Sequence, residues 1–188
     1  MRITTGQYKG RNLAMPKGIR PTQNMVRKAV FDILGDVGGL TFLELFAGSG
    51  AVGFEAVSRG VRDLALVEQN RDCQLAIRKN IESLKARACD LYPFDAQRAI
   101  LSFLRDKRAF DIIFLDPPYT LEEPEESLAK KTLQTLGACD ILSPNGLVVV
   151  QHFKRDKLPS ESGQLKLIKE AKYGSTLLSF YRRNVAPK

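Results

Sequence analysis

The fold is indicated most directly by one stretch, Leu43-Glu44-Leu45-Phe46-Ala47-Gly48-Ser49-Gly50-Ala51-Val52-Gly53. Residues 41–46 are mostly apolar, are too few for a helix and are typical of a buried parallel strand. Three glycines follow with the spacing G-x-G-x-x-G, and Glu68 lies 20 residues beyond the first of them. Glycines let a backbone approach a nucleoside closely, and an acidic side chain can accept both ribose hydroxyls. The stretch therefore predicts a nucleoside-binding turn, called here the glycine loop (residues 46–50), at the carboxyl edge of a parallel sheet.

The rest of the chain alternates between strand and helix patterns. Residues 2–13 predict a short hairpin with glycine turns, and residues 164–172 and 176–182 predict a second hairpin near the other end. The other strands are expected at 63–67, 88–92, 110–115 and 146–151. The first helix is expected from about residue 22 to the Gly38-Gly39 pair, and the second from the glycine loop to about residue 59. Further helices are expected over 71–85, around 99–103 and over 125–136. Five strand–helix steps followed by a hairpin predict an α/β fold with a mostly parallel sheet and one antiparallel strand.

The positive charge is concentrated at the two ends of the chain. The net charge is +8, yet residues 1–31 carry seven Lys and Arg and no acid, and residues 154–188 carry nine against three acids. The centre, residues 32–153, has 13 basic and 18 acidic residues. Basic flanks fit a polyanionic partner, because Lys and Arg neutralise phosphates and release counterions. The alternative is an incidental basic surface.

Cysteine and histidine usage argues against a metal site. The chain has three widely spaced cysteines (Cys73, Cys89 and Cys139) and one histidine, His152. These predict small core residues and a surface or packing histidine, with neither a disulfide framework nor a zinc site. With no long apolar run and no hydrophobic signal region, we expect a cytoplasmic protein without a membrane partner.

A second motif, Asp116-Pro117-Pro118-Tyr119, follows the predicted strand 110–115 and is called here the proline turn. Two prolines cannot continue a central strand, because neither has an N–H for the ladder. A carboxylate, a rigid carbonyl-bearing turn and an aromatic ring therefore meet where open α/β sheets bind ligands. This set suits gripping a flat base by its exocyclic amine. The alternative is a plain turn with an aspartate cap.

Two cofactors use the geometry of the glycine loop, a nicotinamide dinucleotide and S-adenosylmethionine. Hydride transfer usually needs an acid/base residue and a substrate region, whereas methyl transfer to an amine depends mainly on alignment with an activated methyl group. The acidic Glu44 beneath the loop also favours a cationic cofactor over a pyrophosphate. The alternative for Glu44 is a strand residue bonded to neighbouring amides.

These motifs resemble those of the bacterial small-subunit ribosomal RNA guanine-N2 methyltransferases, the RsmD-like family of the class I methyltransferase fold. Four segments carry the resemblance: Gly6-Gln7-Tyr8-Lys9-Gly10-Arg11; Arg20-Pro21-Thr22 with Val26-Arg27 and Phe31; residues 46–53 with Glu55-Ala56 and Ser58-Arg59; and the proline turn. The resemblance implies a Rossmann-like, seven-stranded, mostly parallel sheet with helices on both faces. It also implies a basic N-terminal hairpin extension (residues 1–22) before a methyltransferase domain (residues 23–188).

The resemblance also implies a role for each matching residue. Asp116, Pro117, Pro118 and Tyr119 would be catalytic, with Asp116 and the Pro117 carbonyl accepting hydrogen bonds from the amine and Tyr119 stacking on the base. Tyr8, Lys9 and Arg11 would contact RNA, unless they are plain hairpin surface. S-adenosylmethionine would lie against Arg20, Thr22, Glu44, Phe46, Gly48, Gly50, Glu68, Asp95 and Asp116.

The function implied is methylation of the N2 amine of a guanine in 16S ribosomal RNA, free or in a 30S assembly intermediate, by a monomer. Adenine N6 methylation of DNA or RNA remains an alternative, because the proline turn suits both amines. A non-catalytic RNA-binding assembly factor and a nicotinamide enzyme are the others. One departure from the family is the stretch Gln151-His152-Phe153-Lys154, which is more basic than the family's acidic version.

Overall fold

The computed structural model describes residues 1–16, 18, 24–118 and 127–184. The chain forms two compact units, Met1–Asp95 and Ala96–Lys188. Within the described residues, no helix is both long enough and apolar enough to cross a membrane.

The first unit contains a three-stranded parallel sheet. Its helices are α1 (Asn24–Leu34), α2 (Ala51–Ser58) and α3 (Arg71–Leu84), and its strands are β1 (Thr41–Leu45), β2 (Asp63–Val67) and β3 (Cys89–Tyr92). The strand order is β3-β2-β1. Leu45 pairs with Val67, and Val67 pairs with Tyr92, so the three strands end level with one another. The loops that follow these strands therefore leave from one edge, where the ligands of parallel sheets bind.

Apolar strands and capped helices account for this unit. Every residue of β1 is buried, and α3 buries Cys73, Ile77 and Leu84. The helix α3 begins where the Asn70 side chain accepts hydrogen bonds from the backbone N–H groups of Asp72 and Cys73. This capping satisfies two N–H groups that have no partner inside the helix.

The second unit contains a mixed sheet. It comprises α4 (Ala96–Arg105), β4 (Phe110–Leu115), α5 (Leu128–Ala138), β5 (Leu142–Phe153), β6 (Glu161–Ser162), β7 (Leu165–Tyr173) and β8 (Thr176–Arg183). The strand order is β4-β5-β8-β7-β6. The pair β4 and β5 is parallel, whereas β5 with β8, β8 with β7 and β7 with β6 are antiparallel.

The structure confirms the α/β class but corrects the number of strands. The described residues form eight strands, not seven, because residues 161–162 fold back on β7 through Gly163, whose φ is 57°. A two-residue edge strand is too short to leave a recognisable pattern in the sequence. The strand β5 also begins at Leu142 rather than at residue 146, and its pairing with β4 shifts register between Phe110 and Ile112. The shift accommodates Pro144, which has no N–H to donate to a regular ladder.

The predicted N-terminal hairpin is not confirmed. Residues 1–13, called here the N-terminal loop, make one isolated antiparallel bridge between Arg2 and Asn12, and neither arm is a strand. Further backbone hydrogen bonds run from Ile3 N to the Arg11 carbonyl and from Leu13 N to the Met1 carbonyl, at 3.0 and 2.7 Å. The segment is therefore a closed loop held at its two ends.

Candidate functional site

The glycine loop follows β1 in a backbone shape that glycine favours. Gly48 and Gly50 have φ values of 57° and 74°, and Phe46 has a φ of 60° although it carries a side chain. Gly50 N donates to the Ala47 carbonyl at 2.7 Å, which closes the loop before α2 begins. A left-handed conformation is unfavourable for a bulky residue, and strain of this kind tends to cluster at functional sites.

Two acidic side chains hold this loop and the helix that follows it, and Glu68 is the first. Glu68 Oε2 accepts from Gly48 N at 2.7 Å, and Glu68 Oε1 accepts from Asn70 N at 2.8 Å. Each carboxylate oxygen has a further lone pair, so these bonds leave acceptor capacity for hydroxyl groups. The predicted pair of glycine loop and acidic residue is thus brought into direct contact.

Glu44 bonds to a neighbouring amide, which was the structural alternative considered for it. Its side chain is 3% exposed, and Oε2 accepts from Gly53 N in the first turn of α2 at 2.8 Å. A Cβ atom at Gly53 would lie 2.7 Å from this oxygen. The third glycine of the motif therefore makes room for a carboxylate beneath the loop.

Asn80 is a polar residue of this site that the sequence analysis did not identify. It is 1% exposed, and Nδ2 donates to the carbonyl of Ser49, inside the glycine loop, at 3.1 Å. A signal was available, because Asn80 falls between Ile77 and Leu84 on the buried face of α3. A polar residue at an apolar position of a helix usually has a specific hydrogen-bond partner.

The remaining predicted cofactor residues differ in how far the structure describes them. Asp95 is exposed and follows β3, where Phe94 N bonds back to the Tyr92 carbonyl at 2.9 Å. It therefore lies beyond the same strand edge as the glycine loop. Arg20 and Thr22 lie outside the described residues.

The proline turn leaves the second unit's sheet at the end of β4, as predicted. Asp116 is half-buried, Pro117 is buried and Pro118 is exposed, whereas Tyr119 lies outside the described residues. Leu115 pairs with Val150, so Asp116 is level with Gln151 on the neighbouring strand β5. Gln151 is 6% exposed, and its Oε1 accepts no hydrogen bond from the part of the chain that the structure describes. In the sequence this residue stood out only as part of a departure from the family.

The predicted RNA-contacting residues lie on the N-terminal loop. Lys9 and Arg11 are exposed, and Tyr8 is half-buried. The loop is fastened to the end of α2: Gln7 N donates to the Ser58 carbonyl at 2.8 Å, and Tyr8 N donates to Ser58 Oγ at 2.9 Å. Arg11 Nη2 donates to the Ser83 carbonyl at 2.6 Å, so part of its role is structural.

A buried ion cluster supports the same attachment. Glu55 accepts from Thr4 N at 2.9 Å and from Arg59 Nη2 at 3.2 Å, and Arg27 Nε lies 3.7 Å from Glu55 Oε2. Desolvation lowers the pKa of Arg27, and the nearby charges of Glu55 and Glu44 oppose that shift. The segments that resemble the family include four residues to which the resemblance assigns no role: Arg27, Glu55, Ser58 and Arg59. The structure shows that they join the N-terminal loop to the helix of the glycine loop.

Burial explains the residues that were expected to have no chemical role. Cys73 and Cys139 are buried, and Cys89 is half-buried. Burial raises the pKa of the Cys73 thiol to about 11 and that of Cys89 to about 12. These thiols are therefore protonated and unreactive near neutral pH. His152 is 1% exposed and contacts Ser179 Oγ at 2.8 Å, so it is a packing histidine.

Comparison with known proteins identifies the family. A family model described as "Conserved hypothetical protein 95" matches residues 1–182. The ribosomal RNA small subunit methyltransferase D of Escherichia coli (strain K12) is 32% identical over 187 residues, which cover 97% of this chain and 90% of that protein. A solved structure of a hypothetical protein from Thermus thermophilus has a TM-score of 0.83 at 28% identity and covers 97% of this chain and 99% of that one.

A more distant solved structure, described as a complex with SAH, shares the fold. Its TM-score is 0.66 at 20% identity, over 87% of this chain and 50% of that chain. The extent of the family match decides the assignment, because it includes both the glycine loop and the proline turn. The chain therefore belongs to the conserved hypothetical protein 95 family, the family of the RsmD-like ribosomal RNA methyltransferases.

Proposed function

We propose that this protein transfers a methyl group from S-adenosylmethionine to the N2 amine of a guanine in small-subunit ribosomal RNA. The observation that carries the proposal is the family match over residues 1–182, which spans every motif of the predicted site. The relative named ribosomal RNA small subunit methyltransferase D matches over nearly the same length.

The side chains around the glycine loop fit this cofactor. Glu68 retains acceptor capacity for two ribose hydroxyls, and the backbone at Gly48 and Gly50 carries no side chain that would block a methionine group. Glu44 supplies a negative charge close to a cationic amino group. We assign Phe46, Asp95, Arg20 and Thr22 to the same cofactor, with Arg20 and Thr22 suited by charge and hydroxyl to a carboxylate.

The residues of the proline turn fit an exocyclic amine. The cofactor supplies a methyl group that a sulfonium already activates. Asp116 and the Pro117 carbonyl accept hydrogen bonds from the two amine hydrogens, which turns the nitrogen lone pair out of conjugation with the ring. Pro118 stiffens the turn and Tyr119 stacks on the base. Asp116 can then take the proton that the nitrogen loses after methylation. The target nucleotide must be unpaired or flipped to reach such a site.

The N-terminal loop fits the backbone of the RNA. Tyr8, Lys9 and Arg11 present one aromatic ring and two cations on a loop that is fixed to α2. Phosphate contacts of this kind position a nucleic acid and do not select its sequence. We further propose that residues 1–22 form the RNA-contacting extension and that residues 23–188 form the methyltransferase domain. The proposed active form is a monomer. It acts on a 30S assembly intermediate in the cytoplasm.

The proposal is tested by the product of the reaction. The protein is incubated with labelled S-adenosylmethionine and either unmodified 16S ribosomal RNA, 30S particles or DNA, and the nucleosides are then separated. We expect N2-methylguanosine from the ribosomal substrates. N6-methyladenosine would instead support the adenine alternative. Binding of the RNA without binding of S-adenosylhomocysteine in calorimetry would support a non-catalytic assembly factor.

The role of Asp116 is tested by Asp116→Ala. We expect the methylation rate to fall by at least about a hundredfold, because the amine loses its acceptor and its alignment. The affinity for S-adenosylhomocysteine should change by only a few-fold. Asp140→Asn is a matched control in the same unit, because Asp140 is an exposed carboxylate that pairs with Arg183. Turnover that survives in Asp116→Ala would show that the assigned role is wrong.

A further inference from the structure

The side chain of Asn80 joins two backbone segments that are distant in sequence. Its Oδ1 accepts from Ala14 N at 2.7 Å, and its Nδ2 donates to the carbonyls of Ala14 and Ser49, each at 3.1 Å. The residue projects from the second half of α3 and is 1% exposed. Both hydrogens and one lone pair of the amide are therefore committed to these two segments.

One of these segments is the glycine loop. Ser49 is buried and lies between Gly48 and Gly50, and Gly48 N is bonded to Glu68. The bond from Asn80 thus fixes the orientation of the Ser49–Gly50 peptide group, the last one of the loop. A ligand that contacts this backbone meets a peptide whose carbonyl is already directed toward α3.

The other segment is the end of the N-terminal loop. Ala14 follows Leu13, whose N–H bonds to the Met1 carbonyl at 2.7 Å, and Arg11 Nη2 bonds to the Ser83 carbonyl on the same helix as Asn80. Ala14 is therefore attached to the closed loop that carries Tyr8, Lys9 and Arg11. The position of this loop on α3 depends on side-chain bonds, since residues 1–16 contain no strand.

Burial makes the two attachments interdependent. If either segment moved alone, a buried amide or carbonyl would lose its partner, and an unsatisfied buried polar group is costly. The other buried residues of this face of α3 are apolar. If Asn80 only filled space, an apolar residue would therefore serve equally well at this position. The amide of Asn80 is thus needed for the hydrogen bonds that connect the two segments.

We propose that Asn80 is a positioning residue that couples cofactor binding at the glycine loop to the placement of the RNA-contacting N-terminal loop. This inference rests on the proposed function of the site. Cofactor binding restrains Ser49, Asn80 transmits the restraint to Ala14, and the loop is then held in its RNA-binding position. Coupling of this kind is reciprocal, so bound RNA strengthens cofactor binding by the same factor.

The first test follows the Ala14 amide in the unaltered protein. Its hydrogen exchange is measured with and without S-adenosylhomocysteine, because this N–H donates directly to Asn80. We expect slower exchange when the ligand is bound. Unchanged exchange at Ala14 under saturation would overturn the coupling and leave the proposed function standing. A protein that does not bind S-adenosylhomocysteine would overturn both.

The second test uses Asn80→Asp, which keeps the acceptor for Ala14 N but removes both donors. The affinity for transcribed 16S ribosomal RNA is measured with and without S-adenosylhomocysteine. We expect the ligand to tighten RNA binding by about fivefold or more in the unaltered protein and to have almost no effect in the variant. A purely structural role would lower stability in Asn80→Asp without removing this ratio.

A control for loss of stability is Gln164→Ala. Gln164 also donates a side-chain amide to a buried residue, the carbonyl of Cys139 at 2.8 Å, but in the second unit. This variant should be less stable and should retain the ligand-dependent ratio. Equal ratios in Asn80→Asp and the unaltered protein, or loss of the ratio in Gln164→Ala, would overturn the proposal.

Discussion

At the scale of single residues, buried polar side chains determine the geometry of the glycine loop. Glu68, Glu44 and Asn80 each bond to the backbone of the loop or of the first turn of α2. Glu68 could be found from the sequence, because its distance from the first glycine follows a known pattern. Asn80 could not be assigned a partner, because its contacts cross 31 and 66 positions of the chain. The type of a residue indicates its bonding capacity, and only the fold supplies its partner.

Gln151 gives a prediction for stability. Its buried Oε1 has no donor within the described residues, so replacing the amide by a side chain of similar size removes a desolvation cost. We expect Gln151→Leu to raise the free energy of unfolding by about 1 kcal/mol. Gln164→Leu is the matched control and should lower it, because the Cys139 carbonyl loses its donor. Both values are measured by urea denaturation, and a loss of stability in Gln151→Leu would contradict the prediction.

His152 gives a prediction for pH. Burial lowers its pKa, although the bond to the Phe153 carbonyl and the charges of Asp156 and Glu170 oppose this shift. The unfolded state then binds a proton more readily than the folded state. Stability is complete above the unfolded pKa of about 6.5 and declines as the pH falls below it toward the folded pKa.

The measurement for His152 is urea denaturation between about pH 7.5 and 5.0, a range that spans the unfolded pKa. The chain has no other histidine, so His152→Gln should flatten the decline in this range. The cysteines do not interfere, because burial raises their pKa values. Identical slopes for the variant and the unaltered protein would show that His152 is not the group responsible.

At the scale of elements, the N-terminal loop depends on close contact with the end of α2. A Cβ atom at Gly6 would lie 1.7 Å from the Ser58 carbonyl oxygen, and Gly6 has a φ of 81°. Gly10 has nearly the same φ, 84°, but a Cβ atom there would meet nothing within 4 Å. Alanine substitutions at these two glycines therefore distinguish the free-energy cost of a left-handed backbone from the cost of a clash with Ser58.

Substitution of these glycines tests the attachment. Gly10→Ala should cost about 1 kcal/mol, since an L-residue is forced into a left-handed conformation. Gly6→Ala should cost about 2–4 kcal/mol, because the loop must also leave Ser58. Denaturation gives the free energies, and hydrogen exchange at Gln7 and Tyr8 should rise in Gly6→Ala only. Equal effects in the two variants would mean that the loop is not held by this contact.

Most helices and strands were predictable, and the exceptions have physical reasons. Periodic apolar residues gave β2 and β4 their predicted bounds and α3 its bounds to one residue. The edge strand β6 is too short to show alternation, and the early start of β5 is hidden by Pro144 within a register shift. The N-terminal segment contains the expected turns, but its stability comes from Ser58, Glu55 and Arg27 rather than from strand pairing. Such long-range attachment leaves no local pattern.

At the scale of the whole molecule, the two basic ends predict salt-dependent RNA binding. The unequal distribution of the +8 charge places seven cations in the first 31 residues. Lys9→Ala tests this contribution better than Arg11→Ala, because Arg11 also bonds to Ser83 within the fold. We expect weaker RNA binding, and a slope of log K against log salt concentration that is smaller by about 0.7–0.9 for one lost phosphate contact.

The measurement for Lys9 is RNA affinity at several salt concentrations. Lys107→Ala is a suitable control, because Lys107 is an exposed lysine outside the basic ends. An unchanged slope in Lys9→Ala would remove this residue from the RNA-binding surface. An equal change in Lys107→Ala would show that the effect reflects net charge and not position.

The carboxylate of Glu44 beneath α2 has a consequence for the design of cofactor preference. The N-terminus of a helix normally attracts phosphate groups, because its N–H groups and its dipole are positive. Here the N–H of Gly53 already donates to a carboxylate of the protein itself, that of the buried Glu44. The loop keeps the glycines of a phosphate-binding turn but has an anion beneath it. Redesign toward a nucleotide cofactor would therefore have to begin under the helix, at Glu44, and not among the glycines that line the loop.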